Sequence, residues 1–474
     1  MPTTSPDPSP DDRAAPAPLD PSDVEACLRV LRQLREDPGL AAGQVGLMAL
    51  VAQVYKRERR ERRRANGSAR KARDRQLSRE AAARLQQSRL ANPDDVVGEL
   101  PGVAPVDLEF GTRSCYGCRE RFRRFDARYP WFCPDCSARN LQRRERDIDL
   151  RGRVVLVTGG RVKIGFQTAL MALRGGAIVH VTSRFPKDTL RRFALERDFG
   201  DWRDRFFVHG LDFRDLRGVL SWCESFPQVA PELDVLVNNA AQSVKRSARW
   251  HERLQAFERD ARLDAALAGR ICFQHDDGGM PQLAAAPGEG AVTELSELVR
   301  SDLVDPDDRE DRREENSWTA KLAEVSPVEF LEVLLVNANA PALLIARLRP
   351  LLEASPRPDR FIVNVTGTDG LLSLNKSGNH PHVNMSKAAL NMVTRTCAQE
   401  FAADAIYMNS VDTGWVTHEG GFTTRQRGGQ MGFVPPLDAV DAAARILDPV
   451  VEGIAAGTTP RSGCLFRNFT ATDW

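Results

Sequence analysis

The sequence is poor in the residues that most often carry proton chemistry: four tyrosines and seven histidines in 474 residues. It also lacks an excess of either charge, with 66 Lys+Arg against 65 Asp+Glu. That balance gives no global attraction to nucleic acid or to a membrane surface. No apolar run approaches the ~18 residues that cross a bilayer, so the reading excludes a membrane-spanning chain. The amino terminus, MPTTSPDPSPDD, is acidic and proline-rich where a secretory signal is basic and then apolar, and a cytoplasmic protein with reduced thiols is expected. Nine cysteines, an odd number, argue against a disulfide framework; four sit in two C-x-x-C pairs, and Cys27, Cys223, Cys272, Cys397 and Cys464 are scattered.

What is present falls into four parts. Residues 1–20, rich in Pro, Asp and Ala, read as a disordered tail. Residues 21–110 form a helical, basic region: apolar residues recur at helical spacing from Val24 to Leu34 and from Leu47 to Tyr55, with Pro38-Gly39 between. The stretch Lys56 to Arg75 holds eleven Lys/Arg and three acids. Its Glu58 and Glu61 lie one turn from arginines, which favours a solvated or partner-facing helix over a nucleic-acid contact. A protein partner or a second copy of the chain, met through this amino-terminal region, remains open. Residues 111–150 carry Cys115-Tyr-Gly-Cys118 and Cys133-Pro-Asp-Cys136, a doubled spacing that places four thiolates around Zn²⁺ in a closed, structural site.

From residue 151 to 474 strands and helices alternate, which predicts an α/β, doubly wound parallel sheet. The expected strands are Val154–Thr158, Ala177–Ser183, Phe206–Leu211, Leu233–Asn238, Phe361–Thr366, Ile406–Val411 and Cys464–Phe466. The alternation stops over about 242–326, which reads as an insertion with some helix, partly mobile. Val154 to Gly165 is a buried strand running into a glycine-bearing turn and a helix, a geometry that aims backbone N–H groups at a pyrophosphate.

These motifs resemble, in order, those of the short-chain dehydrogenase/reductase family, over about residues 152–474 apart from the insertion. Thr158-Gly159 and Ile164-Gly165 match its T-G-x-x-x-G-x-G turn, Asn238-Asn239-Ala240-Ala241 its N-N-A-G, and Val336-Asn337 its helix asparagine. Ser386-Lys387-Ala388 matches its lysine helix, and Asn409 to Val416 its N-x-V-x-P-G segment. The resemblance implies a Rossmann fold in which Gly159, Arg161, Lys163, Ile164 and Gly165 cradle the dinucleotide. Asp212 would meet the adenine edge, Asn238, Asn239 and Ala240 would line the nucleotide, Val416 would hold the carboxamide through its backbone, and Lys387 would grip the nicotinamide ribose. Arg184, at the end of the second strand, points by charge to the 2′-phosphate of NADP, helped by Arg161 or Lys163; NAD is the alternative.

The resemblance also exposes a loss. The position four before Lys387, where the family has its tyrosine, is Val383, and Gly367 stands where it has its serine. No tyrosine of the chain has lysine four residues on. The middle-glycine position of the turn is Lys163. Three readings follow: an oxidoreductase of unknown substrate using another donor, a nucleotide-binding pseudoenzyme acting as scaffold or sensor, or a nucleic-acid-binding protein through the basic region. In the first, His382, Asp369 or Thr366 delivers the proton, with Lys387 and Asn337 keeping ribose-binding and water-relay roles, and His382 has the most suitable ordinary pKa. The family's substrate loop corresponds to Thr417–Phe433.

Overall fold

The computed structural model describes residues 19–91, 105–245, 248–263, 265–273, 316–417, 419–420, 427–428 and 434–474. Residues 1–18 of the expected tail 1–20, most of the insertion after Phe273 and most of Thr417–Phe433 lie outside them. The chain divides into two compact units, residues 1–73 and 74–474.

In the first unit, helix Pro21–Glu36 starts where the Asp20 carboxylate accepts the Ser22 amide at 2.8 Å, and none of its residues is buried. A short 3₁₀ turn over Pro38–Gly43 precedes helix Val45–Ala91, which runs through Asn66-Gly67-Ser68 without a break. Its Arg57–Glu61 and Arg62–Glu58 pairs are exposed and one turn apart, as on a solvated helix.

The second unit is built on a nine-stranded sheet. In chain order its strands are β1 (Val154–Thr158), β2 (Ile178–Ser183), β3 (Phe206–Gly210), β4 (Val235–Asn238), β5 (Ile271–Phe273), β6 (Arg360–Thr366), β7 (Ile406–Asp412), β8 (Leu465–Arg467) and β9 (Thr470–Thr472). Their order across the sheet is β9-β8-β7-β6-β4-β1-β2-β3-β5, all parallel except the β8–β9 hairpin. The seven expected strands are all there. The structure corrects the view that alternation stops at 242, because the insertion supplies helix Ala248–Asp260 and then β5, which extends the sheet beyond β3. Three residues are too few for a legible period, and pairing to β3 with burial of Ile271 is what makes them a strand.

Alternate side chains of β1 feed two cores. Val155 and Val157 meet Leu170, Phe193 and Ile446 on one face, and Val154 and Leu156 meet Trp222, Leu344 and Leu348 on the other. Pro327–Ala354 has the length (28 residues) and mean hydropathy (1.6) of a membrane span, contrary to the expectation of no such stretch, but Leu344, Ile345, Leu348 and Leu352 pack in this second core.

Two core histidines form a chain with Trp222. The indole Nε1–H donates to His209 Nδ1 at 3.1 Å, which puts the imidazole hydrogen on Nε2, where it meets His180 Nδ1 at 3.0 Å. Burial lowers the pKa of His180 from its ordinary 6.5 to about 4, and burial with help from His180 lowers that of His209 well below 6.5. The unfolded chain therefore takes up protons near pH 6.5 that the folded chain refuses. Stability is complete above that pH and is lost as pH falls toward about 4. Urea unfolding is expected to show a loss approaching ~2.7 kcal/mol per pH unit where both rings titrate only in the unfolded chain. His180→Phe should show a shallower loss, and equal slopes in the two proteins would reject the assignment.

Candidate functional site

The parallel order brings the carboxyl ends of β1, β2, β3 and β4 to one edge, and there they surround a cavity of about 650 Å³. That volume is in the range of ~300–1,000 Å³ usual for small-molecule and cofactor sites. Its floor is the turn after β1. Thr158 Oγ1 accepts the amides of Asn239 and Ala240, each at 2.9 Å, and Asn239 Nδ2 donates back to Thr158 O at 2.9 Å and Gly159 O at 3.3 Å. This clasp joins the loops after β1 and β4. Gly159 has φ +71 and lies against the Ala240 backbone; a Cβ at Gly165 would overlap Gly159 O and the Asn239 side chain. Lys163, in the middle-glycine position, adopts the left-handed φ of +55 and pairs with Glu419 across the cavity mouth at 3.5 Å.

Of the residues expected to hold a dinucleotide, Gly159, Arg161, Lys163, Ile164, Gly165, Arg184, Asp212, Asn239 and Ala240 line this cavity. Asn238 does not. It is buried and donates to Asn364 Oδ1 at 2.8 Å, while Asn364 Nδ2 donates to Thr394 Oγ1 at 2.8 Å, so its amide ties β4 to β6 and the helix behind. Val416 packs against the cysteine segment, and its neighbour Thr417 reaches the cavity. Arg161 is committed to the buried Asp188 at 2.9 Å, which leaves Arg184 as the cation facing the cavity at the end of β2. Arg184 lies over the Phe185 ring, with Asp212 held by Arg214 nearby. Burial, despite Asp212, lowers the guanidinium pKa of Arg184.

Lys387 and Asn337 sit beyond this cavity, at the ends of β6 and β4. Helix Pro381–Ala403 carries Lys387, whose Nζ donates to Val365 O at 2.8 Å. Burial lowers its pKa to about 8, with Asp369 opposing. Among the described residues that is its only hydrogen bond, so two N–H groups remain for a ligand. Thr366 Oγ1 is buried and, among the described residues, has no hydrogen-bond partner. Asn337 lies in a π-helical turn, Leu335–Asn339, and is saturated: Oδ1 accepts Gln242 N at 2.7 Å, and Nδ2 donates to Gln242 O and Ser386 Oγ.

His382 is not placed for proton delivery. It is 2% exposed, both ring nitrogens lack hydrogen-bond partners among the described residues, and Glu329 lies 3.9 Å from Nε2. Burial lowers its pKa. Helical phase explains the correction, because Val383, at 1% exposed, also faces the core, and the first turn of the helix packs both residues inward. Local spacing carries no sign of the Lys163–Glu419 pair, whose members are hundreds of residues apart.

The four cysteines Cys115, Cys118, Cys133 and Cys136 converge, with their sulfurs all within 4.8 Å of one another. The Cys118–Cys133 separation of 3.7 Å is close to the ~3.8 Å edge of a tetrahedron with 2.3 Å metal–sulfur bonds. Burial pushes the Cys115 thiol up, but the amides of Cys133, Cys118 and Gly117 outweigh it and bring the thiol to about 7. The arrangement is compatible with a zinc module. Its surroundings are more informative than its spacing. Tyr116 Oη accepts the Trp415 amide at 2.9 Å, and Trp131 Nε1 donates to Val434 O at 2.9 Å, so the segment grips the chain on both sides of Thr417–Phe433. A buried seam fastens it to helix Ala439–Ala455 through Tyr129 Oη–Asp441 at 2.6 Å, Arg144–Asp438 at 2.6 Å and Arg445–Asn140.

The turn geometry is directly testable. Gly165→Ala must push the Gly159 carbonyl aside and is expected to cost about 1–3 kcal/mol in urea unfolding. Gly200→Ala, at a position with open space, should be neutral or stabilising.

The family profile described as enoyl-(acyl carrier protein) reductase matches residues 314–429. An uncharacterized protein of Acanthamoeba polyphaga mimivirus, R665, is 28% identical over 374 residues, 74% of this chain and 75% of that protein. Human dehydrogenase/reductase SDR family member 12 is 31% identical over 129 residues, 27% of this chain and 38% of that one. The chain therefore spans three quarters of the viral protein and about two fifths of the human one. Among solved structures, the carbonyl reductase Sniffer of Drosophila melanogaster is 16% identical with a TM-score of 0.44, covering 68% of this chain and all of that one. The sheet order of this chain, its ordered series of turn, asparagine and lysine motifs and the profile match over residues 314–429 make it similar to the short-chain dehydrogenase/reductase family.

Proposed function

We propose that the protein is an NADP(H)-dependent oxidoreductase with an atypical active site, working on a carbonyl or enoyl group in the cytoplasm. The observation that carries the cofactor reading is Arg184: the cavity wall at the end of β2 presents an arginine rather than a carboxylate, and its other candidate helper, Arg161, is held by Asp188. An acid there suits a free ribose 2′-hydroxyl, and a cation suits a 2′-phosphate. The coenzyme supplies a hydride when bound. The turn Gly159–Gly165 offers backbone N–H groups to the pyrophosphate, Lys387 offers its two free N–H groups to the nicotinamide ribose, and Asn337 keeps the loop after β4 at its register through Gln242.

Fluorescence titration is expected to give at least tenfold tighter binding of NADPH than NADH. Arg184→Glu should weaken NADPH by about 10–100-fold, the equivalent of one charged hydrogen bond, and leave NADH affected less. Equal affinities in the parent protein would overturn the NADP reading. NADPH binding without oxidation by aldehydes, quinones or enoyl thioesters would favour a nucleotide-binding pseudoenzyme, the reading that buried Val383 and Gly367 support.

For the four thiolates the reading is Zn²⁺ in a closed structural site, leaving no open position for water. It holds Tyr116 and Trp131 against Trp415 and Val434. Chelation, or Cys136→Ser, is expected to release those grips, with a change in tryptophan emission and proteolysis between residues 417 and 433. Full-length protein that keeps its emission and its protease resistance after metal removal would reject this role.

A further inference from the structure

Beside the glycine at the position of the family's serine, a carboxylate and an imidazole stand 3.3 Å apart. Asp369 lies in the 3₁₀ turn Thr368–Gly370, directly after β6. Apart from chain neighbours, the atoms within 4 Å of a Cβ built on Gly367 belong to Asp369, Oδ2 at 3.5 Å and N at 4.0 Å, so the space left by the missing side chain opens onto this carboxylate. The turn packs on the lysine helix, because a Cβ at Gly370 would stand 2.8 Å from the backbone carbon of Lys387. Asp369 is thus placed at the carboxyl end of the sheet with Lys387, where ligands of open α/β sheets bind.

His380 faces the other oxygen, with Nε2 at 3.3 Å from Asp369 Oδ1. Its Nδ1 is 2.7 Å from Trp318 O, and a carbonyl only accepts, so Nδ1 carries a hydrogen. In a neutral ring the remaining nitrogen is then a bare acceptor, and a bare acceptor beside a carboxylate oxygen makes no hydrogen bond. A second proton placed between them would be held as imidazolium and carboxylate or as imidazole and carboxylic acid. Three features fix the ring: the Trp318 carbonyl, the Trp318 indole stacked on it at 4.0 Å and 11°, and the His380 amide bonded to Ala320 O at 2.9 Å. His380 keeps this place at φ +39, a left-handed conformation that histidine seldom adopts.

We infer that Asp369 and His380 together are the proton donor of this enzyme, standing in for the absent tyrosine and serine. The inference rests on the oxidoreductase reading above and adds the acid to it. As hydride from the reduced nicotinamide coenzyme adds to the electrophilic carbon of a carbonyl or enoyl substrate, the shared proton passes from the pair to the oxygen or carbon that gains the electron pair. The pair is left as carboxylate and neutral imidazole with hydrogen on Nδ1, and solvent replaces the proton at the partly exposed Asp369. Trp318 is a positioning residue that fixes the tautomer; it is carried by the far end of the insertion. Lys387 and Lys376 act on Asp369 with positive charge and Asp412 with negative, while His382, with Glu329 behind it, faces His380.

The test uses the full chain with NADPH and three probes: an aromatic aldehyde, a quinone and a trans-2-enoyl thioester. NADPH affinity is read by fluorescence and turnover by absorbance across pH 5–9. For the probe that the parent protein reduces, Asp369→Asn and His380→Gln are expected to lower kcat at least 100-fold, keep NADPH affinity within threefold and lose the alkaline limb of the parent pH profile. Glycine tolerates the left-handed backbone, so His380→Gly leaves a slot between Trp318 and Asp369, and added imidazole is expected to restore turnover in proportion to its concentration. Parent-like kcat and pH profile in both variants would overturn this inference and leave the oxidoreductase reading standing. NADPH binding with no probe reduced by the parent protein would overturn both.

Discussion

Parallel strand order is the constraint on which the rest of this structure depends. Every strand from β1 to β8 runs the same way, so the loops that follow β1, β2, β3, β4, β6 and β7 all emerge at one edge. Residues hundreds of positions apart, such as Gly159, Arg184, Asn239, Asp369 and Gly414, are brought to that edge by hydrogen bonding between neighbouring strands. The backbone order is reinforced by buried side-chain amides and hydroxyls. Asn238, Asn364, Thr394 and Ser410 form a chain of hydrogen bonds through β4, β6, the lysine helix and β7. Removing one partner leaves another polar group unsatisfied in the core, which makes such a network costly to disturb and the edge correspondingly rigid.

The additions to the fold act on the same edge. The cysteine segment does not stand apart from the sheet: its buried polar seam with helix Ala439–Ala455 and its two grips, on Trp415 and Val434, make it a brace for the chain that follows β7. The insertion contributes at the opposite side. Its helix Ala248–Asp260 supplies Glu258, which accepts the amides of Lys187 and Asp188 at the start of the helix after β2 and is raised by burial to about 7. Its far end returns as Trp318, stacked on His380. Both additions therefore bear on the carboxyl edge of the sheet.

The site carries a glycine turn and a buried lysine beside a cavity, without the tyrosine and serine that the resemblance would place there. Lys387, lowered to about 8 by burial, and Thr366, with its hydroxyl unpartnered, are polar groups whose burial is costly unless a ligand completes their hydrogen bonding. The serine and tyrosine positions, by contrast, have become Gly367 and Val383, one opening a space and the other filling the core.

Sequence alone determined the parallel α/β class, the seven principal strands, the glycine turn, the cysteine quartet and the loss of the tyrosine and serine, because each is written in local spacing or in a missing residue type. Nine of the residues that motif order and charge single out line the cavity at the carboxyl edge. Only the tertiary structure decided that Asn238 and His382 face the core, that Arg161 is spent on Asp188, and that Ile271–Phe273 joins the sheet. It alone set His380, fixed by Trp318, against Asp369. The physical reason is that local spacing specifies which element a residue belongs to, whereas the direction of a side chain and its partner across the fold depend on helical phase, strand pairing and the competition of buried charges for one another.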